Sequence, residues 1–93
     1  MLKVKTTGLF ERRLENIFET DWDLGILVQE KISLFRKNPE DTRLRNHKLK
    51  RRLVGKFAFS ITDDVRVVYE LESKNVVRFL DIGTHMQVYT KKN

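Results

Sequence analysis

Residues 56–82 have the sequence KFAFSITDDVRVVYELESKNVVRFLDI, in which three hydrophobic runs are separated by short polar segments. In the first two runs, at 57–61 and 65–71, hydrophobic residues occupy every second position, which is the period of a β-strand. The third run, 76–82, is almost continuously hydrophobic and suits a strand that is covered on both faces. The polar segments contain Asp, Ser and Asn, which favour tight turns. We therefore predict a three-stranded antiparallel meander.

The residues before this meander have the period of α-helices. Phe10, Leu14, Ile17 and Phe18 fall on one helical stripe, and a second stripe runs over 24–35. The second helix should end before Pro39, because the residue that precedes a proline is pushed out of the helical region. The polar break between the stripes is short, so the two helices are predicted to be antiparallel neighbours.

The complete predicted order is β-α-α-β-β-β(β). A short strand at 3–5 precedes the helices, and the optional strand, at 47–53, would pair with the free side of 56–61. The helices should cover one face of a curved, mainly antiparallel sheet, which defines an α+β fold. A chain of 93 residues suits one hydrophobic core, so residues 1–93 are predicted to form a single domain.

The composition excludes several classes of protein. The chain has no Cys, so it holds no disulfide framework and no zinc finger. Its two His residues are far apart and no regular carboxylate spacing accompanies them, so we predict no metal site. Phosphate-binding glycine motifs are also missing, and no small-molecule cofactor is expected. The sequence shows neither a secretion signal nor a membrane span, and a cytoplasmic protein is expected.

The positive charge is concentrated in one segment. The chain has 19 Lys and Arg against 13 Asp and Glu, a net charge of +6. Seven of the basic residues lie between Arg43 and Lys56, and no acidic residue occurs between Asp41 and Asp63. Such a concentration of positive charge favours the binding of a polyanion such as nucleic acid, or of an acidic protein. The alternative is a solvated basic loop that only aids solubility.

Three residues in the second half have the chemistry needed to cut RNA without a metal. Arg66 projects from the middle strand of the meander, and its planar fork can hold two phosphate oxygens. His85 can serve as acid or base at the pH of a cell. Tyr89 lies four residues later, on the same side of a helical turn, and can stack on a base. Lys48 and Lys50 can stabilise charge on the phosphate.

Each of these residues also has a purely structural interpretation. Arg66 can be the ion-pair partner of Glu70 or Asp81. His85 can be a capping residue, and Tyr89 can close the sheet edge by packing.

Several segments together resemble the RelE/ParE superfamily of bacterial toxins, and its YafQ- and YoeB-type members in particular. They are HKLK at 47–50, GKFAFSI at 55–61, DVRVVY at 64–69 and FLDIGTHMQVY at 79–89. The resemblance implies a RelE-like fold and a toxin of a type II toxin–antitoxin system. It also implies a ribosome-dependent endoribonuclease that cuts mRNA in the ribosomal A site and is held inactive by a cognate antitoxin.

The resemblance also implies roles for individual residues. Arg66 matches a phosphate-contacting arginine, His85 an acid/base histidine and Tyr89 a closing aromatic residue. His47 is a further catalytic candidate. The variable basic segment supplies candidates for binding RNA phosphates, which are Lys48, Lys50, Arg51, Arg52 and Lys56.

Four positions depart from the family pattern. Arg51 stands where relatives often have Gly, Ser60 where YafQ-type members have His, Asp81 where they have Arg, and Met86 where Asp is frequent. Two alternatives to the nuclease therefore stay open. One is a ParE-like inhibitor of DNA gyrase, and the other is a catalytically weak relative that only binds RNA or an antitoxin.

Overall fold

A computed structural model describes residues 1–89. Along the chain, the strands and helices are β1 (Lys3–Thr6), α1 (Gly8–Thr20), α2 (Trp22–Lys37), β2 (His47–Lys48), β3 (Phe57–Ser60), β4 (Val65–Ser73), β5 (Val76–Thr84) and α3 (His85–Tyr89). Two short 3₁₀ turns flank β2, the first at Thr42–Leu44 and the second at Arg51–Leu53.

The strands form one five-stranded sheet in the order β1-β5-β4-β3-β2. β1 is parallel to β5, and all the other neighbours are antiparallel. The predicted α+β fold, with two helices before a mainly antiparallel sheet, is confirmed. The sequence did not predict that β1 joins the sheet beside the last strand, because that pairing depends on the path of the two helices between them.

The predicted strand at 47–53 forms on the free side of β3, but it is shorter than expected. Only His47 and Lys48 pair with β3, after which the Leu49 N–H donates to the Lys56 carbonyl at 2.9 Å. Arg51 then has a φ of 61°, in the left-handed region, and starts the second 3₁₀ turn. The chain leaves the sheet here because this backbone conformation is incompatible with a strand.

Side-chain caps set the boundaries of the first two helices. The Thr7 hydroxyl accepts a hydrogen bond from the Phe10 N–H at 3.1 Å and donates one to the Leu80 carbonyl at 2.8 Å, so it starts α1 and ties it to β5. Asp21 ends α1, since its N–H donates to the Ile17 carbonyl at 2.7 Å. Its carboxylate also caps α2 by accepting from the Leu24 N–H at 3.1 Å.

The main core lies between the sheet and the helices α1 and α2. Phe35 is fully buried there and stacks on Phe59, with ring centroids 4.4 Å apart. It meets Tyr69 edge-on at 4.9 Å and Phe79 at 5.8 Å. These contacts follow from the alternation in the sequence, which places every second residue of β3 and β4 on the same face.

The opposite face of the sheet is covered by α3. A smaller hydrophobic cluster forms there from Ala58, Val68 and Val88. Ala58 and Val68 are the alternate residues of β3 and β4, so this face carries smaller side chains than the face that holds the main core. It therefore leaves space for a short helix and for the polar residues around it.

Candidate active site

A reciprocal hydrogen-bond pair fixes the start of α3. The Thr84 N–H donates to Gln87 Oε1 at 2.8 Å, and the Gln87 N–H donates to Thr84 Oγ1 at 3.2 Å. This is a capping box, in which two backbone N–H groups at the helix start are satisfied by side chains. Its sequence signal is Thr-x-x-Gln at 84–87, a pattern that predicts a helix start. The box makes His85 the first residue of the helix.

Gly83 permits this close approach of α3 to β5. A Cβ at position 83 would lie 2.5 Å from Gln87 Oε1 and 3.1 Å from Gln87 Cβ. Gln87 is held by the capping box, so it has little freedom to move away.

Replacing Gly83 by alanine should therefore displace Gln87 and weaken the capping box. We expect a loss of about 1–3 kcal/mol in the free energy of unfolding, as for other overpacked sites. Gly8→Ala is a matched control, because a Cβ there would meet only Arg12 Nη1 at 3.8 Å. Thermal unfolding of both variants measures the difference, and equal melting temperatures would contradict the role of Gly83.

His85 and Tyr89 lie one turn apart on α3 and contact each other. Their rings meet edge-to-face, with centroids 4.5 Å apart and planes at 87°. The His85 N–H donates to the Asp64 carbonyl at 3.0 Å, which ties the start of α3 to the turn between β3 and β4. The His85 side chain is exposed, whereas the Tyr89 hydroxyl is buried and has no hydrogen-bond partner among residues 1–89.

The Arg66 side chain extends from β4 toward the ring of Tyr89. It pairs in register with Ser60 and Gly83, and its Cζ lies 6.0 Å from the centroid of the Tyr89 ring. Its Nη2 donates to the Asp63 carbonyl at 2.8 Å, while its Nε is buried without a partner in the described part of the chain. The guanidinium of Arg66 and the imidazole of His85 therefore both lie around the ring of Tyr89.

Asp81 forms an ion pair that the sequence did not suggest. Its Oδ1 lies 3.5 Å from Nη1 of Arg13, which extends from α1, and also accepts from the Ile82 N–H at 2.8 Å. Arg13 thus places a positive charge beside Asp81. This pairing could not be predicted from the sequence, because α1 and β5 are far apart along the chain.

The basic segment and α3 enclose a cleft. Its volume is about 420 Å³, and no acidic side chain of residues 1–89 lines it. We call it the basic cleft; its lining residues are Leu49, Lys50, Arg51, Arg52, Leu53, His85 and Tyr89. Three cations thus face the imidazole and the phenol, an arrangement that suits a phosphodiester.

Arg51 has a strained backbone within this cleft. Its φ of 61° lies in the left-handed region, which costs a residue with a Cβ about 1–2 kcal/mol.

Arg51→Gly should therefore increase the stability of the protein. We expect a gain of about 0.5–1 kcal/mol in the free energy of unfolding, since relief of the strain is partly offset by the greater freedom of Gly in the unfolded chain. Urea denaturation is the measurement, and Arg52→Gly, at the next residue, is the control and should destabilise. A loss of stability in Arg51→Gly would show that the arginine is not strained.

Four of the predicted site residues are not among those that line the basic cleft. Arg66 is one of them, and its Cζ lies 6.0 Å from the centroid of the Tyr89 ring. His47 and Lys48 instead line a cavity of about 360 Å³ beside Phe57 and Tyr69, which belong to the face covered by α2. His47 Nδ1 lies 2.8 Å from the Arg45 carbonyl oxygen. Lys56 does not line the cleft either. The geometry therefore gives no support to a catalytic role for His47.

Tyr69 also lines that cavity, and burial raises the pKa of its hydroxyl. The hydroxyl donates to Asn46 Oδ1 at 2.9 Å, which anchors the start of the basic segment to the core. Among residues 1–89, no three His, Asp or Glu side chains are grouped closely enough to hold a metal ion. In the same range, no helix is both long and hydrophobic enough to span a bilayer.

Comparisons with known proteins agree with this architecture. Among solved structures, the chain is similar to a YoeB/ParE toxin from Agrobacterium tumefaciens, with a TM-score of 0.77 and 20% identity over 90% of this chain and 99% of the other. It is also similar to YafQ from E. coli strain BL21(DE3), with a TM-score of 0.77 and 17% identity over 96% of this chain and 99% of the other. For a chain of the YoeB–YefM toxin–antitoxin complex from Staphylococcus aureus, the TM-score is 0.74 and the identity 17%, over 91% of this chain and 98% of the other. These likenesses confirm the RelE-like fold.

A search among curated proteins found no match to the sequence. A protein-family model does match, and it covers residues 2–90. It describes the bacterial toxin of a type II toxin–antitoxin system, YafQ. The match covers nearly the whole chain, and the RelE-like fold and the His85–Tyr89 helix agree with it. The chain therefore belongs to the YafQ family of type II toxins, within the RelE/ParE superfamily.

Proposed function

We propose that this toxin is a ribosome-dependent endoribonuclease that cuts mRNA in the A site. The observation that carries the proposal is the meeting of Arg66, His85 and Tyr89 at the edge of the basic cleft. Arg66 lies over the Tyr89 ring and His85 lies against its edge. Lys50, Arg51 and Arg52 line the same cleft and supply positive charge for the phosphates.

The reaction uses the 2′-hydroxyl of the RNA as the nucleophile. Its oxygen forms a bond to phosphorus, the bond from phosphorus to the 5′-oxygen breaks, and a 2′,3′-cyclic phosphate and a 5′-hydroxyl result. One proton leaves the 2′-hydroxyl and one is added to the 5′-oxygen. His85 transfers a proton in this exchange, because it is the one imidazole in the cleft lining. Arg66 and Lys50 stabilise the charge that develops on the phosphate oxygens.

Two buried polar atoms support a phosphodiester at this position. Arg66 Nε and the Tyr89 hydroxyl are both buried, and neither has a hydrogen-bond partner among residues 1–89. Such groups are costly to leave unpaired, and a bound ligand would supply the missing partners. Both are donors, so phosphate oxygens are the acceptors that match them.

An antitoxin is the second proposed partner. The S. aureus YoeB structure contains YefM as its antitoxin. For this chain, the basic cleft favours an acidic segment that competes with RNA for the same cations. In this proposal the toxin and its antitoxin meet in the cytoplasm, where the ribosomes are.

Transcript mapping after induction of the toxin tests this function against gyrase inhibition. We expect growth arrest together with discrete cuts in mRNA at a fixed position relative to the reading frame. Intact transcripts with gyrase-linked DNA breaks would instead identify a ParE-like inhibitor. Neither cuts nor breaks would leave a protein that only binds RNA or its antitoxin.

A further inference from the structure

A second cavity with a basic rim lies beside Arg66, at the end of the sheet. Its volume is about 360 Å³, and Lys31, Arg43 and Arg45 line it together with Ser60 and one acidic residue, Asp63. We call it the Arg45 pocket. Its cations come from α2 and from the first 3₁₀ turn, so it is separate from the basic cleft in sequence and in lining residues.

The side chain of Arg43 is held in place at the rim. Its Nε and Nη2 each donate to the Asp41 carboxylate at 2.9 Å, and the Arg43 backbone N–H donates to Asp41 Oδ1 at 3.0 Å. These hydrogen bonds lower the pKa of Asp41 to about 2, so the pair stays charged at the pH of a cell. Leu44 is fully buried and anchors the same turn. Arg43 and its turn are therefore a fixed part of the pocket rim.

Asp63 links this pocket to the candidate active site. Its carboxylate accepts from Arg45 Nη2 at 3.0 Å, and its backbone carbonyl accepts from Arg66 Nη2 at 2.8 Å. Ser60 lines the pocket and pairs in register with Arg66. The guanidinium groups of Arg45 and Arg66 thus bind two atoms of the same residue, so they are close enough for a single RNA strand to meet both.

We propose that the Arg45 pocket binds a phosphate of a nucleotide next to the one that is cut. The inference rests on the proposed RNA-cleaving function and extends its substrate site by one subsite. A phosphate and the Asp63 carboxylate present the same kind of acceptor to Arg45, and Asp63 is fully exposed. The RNA phosphate therefore takes the place of the Asp63 carboxylate on Arg45, while the Asp63 carbonyl keeps its bond to Arg66.

Binding of non-cleavable RNA of two lengths tests this subsite. We would use the full chain and fluorescence anisotropy across a salt series, with 2′-O-methyl oligonucleotides of two and of six nucleotides. Arg45→Ala and Lys31→Ala should each reduce the salt slope for the hexamer by about 0.7, the value for one phosphate contact on a single strand. The dinucleotide has one phosphate, so its binding should not change. Asp63→Asn should strengthen binding of the hexamer.

Lys74→Ala is the matched control. Lys74 is an exposed cation in the turn between β4 and β5, at the opposite end of the sheet from Asp63. The subsite would be overturned if Arg45→Ala and Lys74→Ala weakened RNA binding equally, or if Arg45→Ala weakened binding of the dinucleotide and the hexamer equally. It would also be overturned if Arg45→Ala weakened binding of an acidic protein partner but not of RNA. A separate assay measures cleavage of an all-ribose mRNA on ribosomes. Cleavage by the wild type there, together with no effect of Arg45→Ala on binding of the hexamer, would refute the subsite alone. Arg45-dependent binding without cleavage would refute the proposed function alone.

Discussion

His85→Ala should reduce the rate of mRNA cleavage by about 10²–10⁴-fold, the usual contribution of a general acid or base. The imidazole is exposed at the start of α3, and its backbone N–H rather than its ring is bound to Asp64. Alanine is compatible with a helix start, so the fold should remain. Cleavage of an mRNA on programmed ribosomes measures the rate, and circular dichroism checks the fold.

His47→Ala is the control for this experiment. It removes the only other histidine of the chain, which lies outside the basic cleft. We expect its cleavage rate to stay within about threefold of that of the wild type. A loss as large as that of His85→Ala would place the reaction elsewhere in the molecule.

Phe35→Ala should have the largest effect on stability. Phe35 is fully buried and its ring contacts those of Phe59, Tyr69 and Phe79. Truncation of a buried phenylalanine costs about 3–5 kcal/mol, because apolar contacts are lost and a cavity remains. For a domain of this size, that loss lowers the melting temperature by roughly 12–40 °C. Thermal unfolding followed by circular dichroism is the measurement.

Phe18→Ala provides a matched truncation outside the centre of the core. The Phe18 ring is only partly buried and packs edge-on against Trp22, whose side chain is 64% exposed. We expect Phe18→Ala to lower the free energy of unfolding by no more than about half as much as Phe35→Ala does. A similar loss in both variants would contradict the position of the core.

The fold could be predicted from the sequence to the extent that hydrophobic period determines it. The alternation around Phe57 and Phe59, and around Val67 and Tyr69, identified both strands and the face that packs on the helices. The basic segment was less predictable. Its residues at 47–53 have a plausible strand pattern, but the left-handed conformation of Arg51 ends the pairing after Lys48.

The candidate site was predictable only where its residues share a local element. The four-residue spacing of His85 and Tyr89 predicted that they share one side of a helical turn, and in α3 their rings are in contact. Contacts between distant segments left no signal in the sequence. The ion pair of Arg13 with Asp81 and the link from Arg45 through Asp63 to Arg66 depend on how separate elements pack.

The account depends on attack by the 2′-hydroxyl of RNA within the basic cleft. The most direct test programs ribosomes with an mRNA that carries a single 2′-deoxy nucleotide immediately 5′ to the mapped cut, and compares it with the all-ribose mRNA. We predict that the all-ribose mRNA is cut to give a 2′,3′-cyclic phosphate and a 5′-hydroxyl, and that the 2′-deoxy mRNA stays intact at that position. Equal cleavage of the two mRNAs would contradict the proposed chemistry.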